Sequence, residues 1–465
     1  MTKSLFTLDA LLAATGGRAD SVDADTISSI SIDSRALGPR ALFIAIKGDR
    51  FDGHDFVETA LANGAVAALV SEGRSAGPGR IVVPNALGGL RDLARAARER
   101  SRGFIVGVTG SVGKTTTKEA LRVIFEAAGQ THASIKSFNN HWGVPLMLAQ
   151  LPETAQFGVF EMGMNAPDEI RPLSQMVRPH VAVITSIAPV HLEGLGSIEA
   201  IARAKAEIFE GLEPGGTAVI NADHPQLQIL LDAAQAAGVA NVVTFGFARG
   251  VDWQITDPQT AADKSFATVL HDGQSHALAL SVPGRHMLSN AVAAMAVAHL
   301  AGVQPEDALR ALAGLRAQAG RGQRVTLGPS DKPLLLINES YNANPVAVTA
   351  ALSVFGDIAP PDGRKVLVLG DMLELGPQAD MLHAGLADAV RASGAQRVHL
   401  VGPHMAALAA ALPGELVASQ SQTAAEAEDI IIADLAYGDA LMIKGSNGVG
   451  LARIVNAITA RFEQS

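Results

Sequence analysis

Short apolar runs ending in polar turns recur along most of the chain, separated by stretches with apolar residues at helical spacing. Residues 104–108 read as a buried strand and residues 114–128 as a helix closed by Gly129. Regular alternation follows: strands at 157–162, 180–186, 217–221 and 241–244, with helices at 168–177, 197–212 and 225–238 between them. Such alternation predicts a doubly wound, mostly parallel sheet. Residues 246–282 read as irregular β structure, followed by an Ala-rich helix to Leu300.

The ends of the chain carry weaker versions of the same pattern. At the start, a helix at 7–14, strands at 30–35, 41–46, 65–70 and 80–83, and a helix from 51 to 63 predict a small α/β domain over 1–102. The central domain then covers 103–327, with Gly320-Arg321-Gly322-Gln323-Arg324 closing it. Residues 328–465 alternate again, with strands at 334–338, 365–369, 397–401 and 440–443, which predicts a second doubly wound, Rossmann-like domain.

Composition narrows the class. A chain of 465 residues with 48% hydrophobic content and 46 glycines suits several α/β domains with tight turns. With no cysteine there are no disulfides and no thiolate metal site, which fits a cytoplasmic protein. A net charge of −10 argues against general nucleic-acid binding. No signal peptide and no membrane-spanning run are expected, because Asp9 interrupts the first apolar stretch.

The chemistry is concentrated after the first strand of the central segment. Thr109-Gly110-Ser111-Val112-Gly113-Lys114-Thr115 places a Gly-rich loop between strand and helix. Its glycines let backbone N–H groups point inward, and the helix N-terminus adds positive dipole. Lys114 can reach terminal phosphates and the Thr115 hydroxyl can ligate Mg²⁺. Val108 stands where the strict pattern has Gly, so the loop is a variant. Glu161 ends a strand and is either a Mg²⁺ ligand or a helix-capping acid. His191, alone, reads as a structural histidine, and Lys205 as an exposed lysine on a charged helix face. Asn139 lies in a loop, Asn290 in the first turn of a helix, and Arg321 is suited to phosphate oxygens. Ser34, Arg35 and Lys47 cluster at strand ends, as a grip for an anion or as solvated charges. Dense polar loops at 338–345, 369–376 and 443–448 argue for a site facing another domain.

Together these residues resemble the Mur ligase family, ATP-dependent amide-bond-forming enzymes of peptidoglycan synthesis. The shared pattern is the Thr109–Thr115 loop, Asn139-Asn140, Glu161-Met162-Gly163, His191-Leu192-Glu193, Lys205, Asn290 and Gly320-Arg321. Ser340-Tyr341-Asn342-Ala343-Asn344-Pro345 and Gly370-Asp371-Met372-Leu373-Glu374-Leu375-Gly376 resemble the branch that adds D-alanyl-D-alanine to UDP-N-acetylmuramoyl-tripeptide. The resemblance implies ATP and Mg²⁺ as cofactors, with Lys114 on the phosphates and Thr115 and Glu161 on one Mg²⁺. It puts His191 and Lys205 on a second Mg²⁺, Lys205 having been carbamylated by CO₂, since a cationic lysine has no acceptor. It also implies nucleotide contacts from Asn139, Asn290, Arg321 and Glu339. Ser34, Arg35 and Lys47 would take the uridine diphosphate, and Tyr341, Asn342 and Asn344 the substrate of the last domain. A monomer is expected. The chain departs from the family pattern at Glu339 (usually Asp), Met287 (often Asn) and Asn447 (often Arg). A sibling ligase with another acceptor, or a nucleotide-binding protein without catalysis, remains an alternative reading.

Overall fold

The computed structural model describes residues 4–48, 51–135, 137–190 and 192–463. Three sheets carry the fold, with a small two-stranded ribbon of Phe6–Thr7 and Thr26–Ile27 beside the first. The first large sheet has five strands, in the order Arg18–Asp20, Arg80–Val83, Ala65–Ser71, Ala41–Ile44, Ser29–Ser31. All its pairings are parallel except the first.

The central sheet has nine strands. Phe104–Thr109 lies between Phe157–Glu161 and Val181–Ile184, parallel to both. After Phe157–Glu161 the chain crosses to the other side of Phe104–Thr109, so the strand order reverses there. A crevice opens beyond the carboxyl ends of strands at such a point. The glycine loop leaves Phe104–Thr109 directly into it. Near-continuous apolar residues make this strand fully buried, as parallel strands covered on both faces require.

The expected irregular stretch is instead regular. Trp253–Thr260, Ser265–His271 and Gln274–Leu280 extend the same sheet, the last two antiparallel. The pairing shifts between Thr256 and Gln259, and Asp257 sits there at φ +48 beside Pro258. A proline without an N–H and a bulge interrupt the alternation that would have marked the strand. Other expected elements are shorter: the strand at 30–35 stops at Ser31, and the helix at 197–212 becomes a tighter turn over Glu207–Gly211. The helix Ala86–Arg100, unread in the sequence, packs on Gly143–Ala149.

The last sheet has six strands, in the order Gln323–Leu327, Leu334–Glu339, Ala440–Lys444, Lys365–Gly370, Arg397–Val401, Val417–Ser421. Gln323–Leu327 had been placed in the central segment, but it pairs antiparallel with Leu334–Glu339 and belongs to this sheet. A short strand next to a loop is assigned by its hydrogen-bond partners, which spacing along the chain does not reveal.

The apolar cores divide unequally. One cluster runs from Leu42 and Leu69 through Leu90 and Leu93 into Val144, Phe160 and Ile201, joining the first sheet to one face of the central sheet. The last sheet has separate clusters on its two faces. Arg98 reinforces the first junction. Its Nε donates to the Val177 carbonyl at 2.7 Å, and its Nη2 to the Arg178 carbonyl at 2.7 Å and to Glu213 Oε1 at 3.0 Å. Arg100 donates to the carbonyls of Leu5 and Leu151 and lies 4.1 Å over the Phe6 ring. Among the described residues no helix is long and apolar enough to cross a membrane.

Arg98 is 5% exposed, so its removal leaves two carbonyls without their donor and Glu213 with Arg178 alone. Arg98→Ala is expected to lower unfolding stability by about 3 kcal/mol, measured by urea denaturation.

Candidate active site

The helix Lys114–Ala128 begins at Gly113, which has φ +91 and makes no side-chain cap. Most helices are capped by a Ser, Thr, Asp or Asn side chain that takes up the first N–H groups. Here the N–H groups of the first turn stay available, and with the helix dipole they favour an anion. A Cβ on Gly113 would lie 2.3 Å from Asn290 Oδ1, so glycine is needed for Asn290 to sit against the loop. Asn290 also accepts from Thr117 Oγ1 at 3.3 Å.

The rest of the loop is clamped from the next strand end. Ser111 N–H donates to the Ser186 carbonyl at 2.9 Å and Val112 N–H to Ser186 Oγ at 3.0 Å. Thr185 Oγ1 donates to the Val112 carbonyl at 2.6 Å, and Ser111 Oγ exchanges bonds with Ala188. Gly110 has φ +150, and a Cβ there would sit 1.9 Å from Thr185 Oγ1. Thr109 is fully buried, with no partner for its hydroxyl. Two loop N–H groups are therefore spent on holding the loop, which leaves anion binding to the helix start and Lys114. Thr185 and Ser186 were missed as site residues, and the available signal was a Thr-Ser pair directly after an apolar strand.

Glu161 is 1% exposed. Its Oε2 accepts from Thr115 Oγ1 at 2.9 Å and its Oε1 from Asn139 Nδ2 at 2.8 Å. Gly163 gives Asn139 this position, because a Cβ would lie 3.0 Å from the amide. Glu161 therefore caps no helix; hydroxyl and carboxylate oxygens stand together, a donor set for a hard divalent cation. Among the described residues no three His, Cys, Asp or Glu side chains gather. A cation at Thr115 and Glu161 would share phosphate oxygens.

Two lysines face this corner. Lys114 Nζ folds back on the Gly110 carbonyl at 2.7 Å. Burial pushes Lys114 below the usual lysine range; Glu161 opposes this and Arg321 adds to it. Lys205 is 1% exposed, not on a charged face. Burial holds it well below the usual range, and the charge of Lys114 lowers it further. Among the described residues it has no ion pair. His191 lies outside the described residues, between Val190 and the short helix Leu192–Leu195.

The last sheet brings its three polar loops together. Lys444 Nζ donates to Glu339 Oε2 at 3.2 Å and to the Asn342 carbonyl at 2.9 Å. Ser446 donates its N–H to the Asp371 carbonyl at 3.1 Å and accepts from Leu373 N–H at 3.0 Å. Arg321 lies 4.4 Å over the Tyr341 ring, within electrostatic reach of Lys114. A narrow cleft between the central and last sheets is lined by Met287, Arg321, Glu339, Phe355 and Met442 among others. Met287 supplies apolar surface there. Asn447 is exposed, and nothing in the structure explains its identity.

Some expected substrate residues are otherwise engaged. Asn344 is 4% exposed and its Oδ1 caps the helix Pro345–Gly356 by accepting from Ala347 N–H at 2.9 Å. Its Oδ1 thus has a structural duty, beside the substrate contact expected of this residue. The Asn342 side chain accepts from Ala343 N–H at 2.9 Å. In the first sheet, exposed Arg35 is held by Asp33 through two bonds of 2.9 Å. Ser34 is buried, its carbonyl accepting from Asn63, and Lys47 is exposed in a bridge to Asp52. These three are not drawn to the glycine loop.

A strand, an uncapped Gly-rich loop and a helix at a reversal of strand order, facing a third sheet across a cleft, define a P-loop nucleotide-binding protein built from three α/β units. Family comparisons agree in detail. Residues 26–99 match the Mur ligase family catalytic domain, 108–298 the Mur ligase middle domain and 320–447 the Mur ligase glutamate ligase domain. The chain is 34% identical over 435 residues to the UDP-N-acetylmuramoyl-tripeptide–D-alanyl-D-alanine ligase of Bacillus subtilis, covering 92% of each. It superposes on MurF from Acinetobacter baumannii with a TM-score of 0.85 at 30% identity, covering 98% of this chain and 99% of that one. MurF from Thermotoga maritima in complex with ADP gives 0.78 at 25% identity, covering 94% and 98%. The chain belongs to the Mur ligase family, and within it to the MurF branch.

Gly113→Ala combines a strained φ with a collision at Asn290. It is expected to weaken ATP binding at least about tenfold, measured by calorimetry, with the melting temperature lowered by only a few degrees, roughly.

Proposed function

We propose that this chain joins D-alanyl-D-alanine to UDP-N-acetylmuramoyl-tripeptide using ATP, forming the UDP-N-acetylmuramoyl-pentapeptide precursor of peptidoglycan. The observation that carries this reading is the corner that Lys114, Thr115, Glu161 and Lys205 share, with Arg321 within electrostatic reach of Lys114. The 34% identity to a ligase of that name supports the choice of substrates.

A carboxylate resists attack by an amine at neutral pH. One oxygen of the tripeptide's terminal carboxylate attacks the γ-phosphorus of ATP, and ADP leaves. The dipeptide amine then attacks the acyl carbon, loses a proton, and phosphate departs with the C–O bond. Most of the protein's contribution is positioning and charge neutralisation. The open N–H groups of the Lys114 helix and the Lys114 ammonium hold the β- and γ-phosphates. Asn139 orients Glu161, and Asn290 backs the loop. Arg321 and Glu339 border the cleft in which the nucleotide base would lie. Thr115 and Glu161 would hold one Mg²⁺, and Mg²⁺ would supply neutralisation of the phosphate oxygens.

Lys205 fits the second position through its chemistry. Burial and the nearby Lys114 charge lower the Lys205 pKa and so favour its neutral amine, the form that adds to CO₂. The resulting carbamate carries negative charge, which answers Lys114 and would supply oxygen ligands for the second Mg²⁺ that the resemblance also assigns to His191. Ser34, Arg35 and Lys47 would receive the uridine diphosphate, with Arg35 exchanging Asp33 for phosphate. Tyr341 and Asn342 would face the acceptor. We assign the parts before, around and after the glycine loop to the UDP substrate, ATP and the dipeptide in turn, acting as a monomer in the cytoplasm.

The deciding assay is phosphate release with ATP, Mg²⁺ and UDP-linked tripeptide, with and without D-alanyl-D-alanine. Release that needs the dipeptide, with a product heavier by one dipeptide less water, is expected. Release with a different acceptor instead would move the chain to a sibling activity, and ATP binding without turnover would leave a nucleotide-binding protein.

Lys205 separates stability from catalysis. Lys205→Met removes an unpaired buried amine and should melt no lower than the parent, while losing ligation. Lys205→Ala should be inactive and regain activity with formate in the assay. Full activity of either variant would exclude the carbamate.

A further inference from the structure

His383 is fully buried on the helix Ala379–Ala384, outside the machinery described above. Its Nδ1 lies 2.6 Å from the Ala379 carbonyl, which can only accept, so Nδ1 carries the proton. Its Nε2 is then a bare acceptor, and takes the N–H of Met372 at 2.9 Å. This bond fixes the start of the loop Asp371–Gly376. Asp371 pins the same point from the other side, its carboxylate accepting from the N–H groups of His404 at 3.3 Å and Met405 at 3.0 Å.

The loop runs outward from these anchors. Leu373 is 42% exposed, Glu374 has φ +64 and Gly376 φ +61. At its far end the last part of the chain touches the central one. A Cβ on Gly376 would lie 3.3 Å from Glu193 Cα and 3.4 Å from Glu193 Cβ. Glu193 belongs to Leu192–Leu195, the short helix that begins one residue after His191.

We propose that His383 is a positioning residue. Its unprotonated Nε2 sets the Asp371–Gly376 loop so that Gly376 docks against Glu193 and holds the last domain against the helix Leu192–Leu195, which packs on the helix that carries Lys205. This rests on the ligase reading for its consequence, since a docked loop would keep water from the acyl phosphate. The geometry itself can be tested without turnover.

The chain contains no cysteine, so a single pair can be introduced cleanly. The Cβ atoms at Glu193 and Gly376 would stand 3.4 Å apart, just under the range of a disulfide, so a shift of a few tenths of an ångström lets one close. Glu193→Cys with Gly376→Cys is oxidised and the cross-linking rate followed by gel, alone and with His383→Asn or His383→Gln. Gln places an oxygen near the lost Nε2 and can still accept from Met372; Asn is too short. The parent pair should cross-link. His383→Asn should slow it about tenfold, and His383→Gln should stay within about twofold of the parent. Failure of the parent to cross-link, or equal rates for Asn and Gln, would overturn the proposal. In the otherwise unmodified enzyme, phosphate released per dipeptide joined should rise several-fold, roughly, with His383→Asn but not with His383→Gln. That ratio does not depend on how much protein is folded, so a purely structural histidine would leave it at the parental value. If the unmodified enzyme ligates nothing, the function proposed above fails, while cross-linking still decides the role of His383.

Discussion

Positive charge without a counter-ion, held at the end of the central sheet, is the constraint on which the other features depend. The open N-terminus of the Lys114 helix, Lys114 itself and Arg321 gather where the described residues supply few anions, with Lys205 buried beside Lys114. Glu161 is the main one, and it is already tied to Thr115 and Asn139. Concentrating cations in a buried place is unfavourable unless an anion arrives. A nucleotide phosphate and a carbamate would each relieve that strain, so ligand binding and charge balance become the same event.

Holding such an arrangement requires a rigid frame. Phe104–Thr109 is buried and hydrogen-bonded on both sides, and Thr185 and Ser186 clamp the loop that leaves it. The first sheet shares a core with the central one, and Arg98 and Arg100 staple the junction. The last sheet, by contrast, keeps its own cores and meets the rest through loops, the cleft at Arg321 and the contact of Gly376 with Glu193. Fewer apolar contacts across a boundary make it the place where a structure opens at least cost. The first and central sheets are thus joined through one core, and the last sheet keeps its own.

Much of this was legible along the chain, where the signal is local. A strand, a loop with two glycines, Lys-Thr and a helix are neighbours in sequence, so their geometry follows from turn chemistry and helix physics alone. Asn344-Pro345 is equally legible as a helix cap followed by a first-turn proline, a duty that stands beside the substrate contact expected of Asn344. The extended hairpin over Trp253–Leu280 was blurred by a bulge at Asp257-Pro258.

Sequence alone determined the alternating α/β architecture, the phosphate loop and the family resemblance, because periodicity and turn residues act over a few positions. Only the tertiary structure decided the environment of Lys205, which reads as an exposed helical lysine until distant segments bury it beside Lys114. It also decided that Gln323–Leu327 joins the last sheet and that Gly376 meets Glu193. Burial, strand partners and contacts between domains depend on residues far apart in the chain, and no local pattern records which of them will meet.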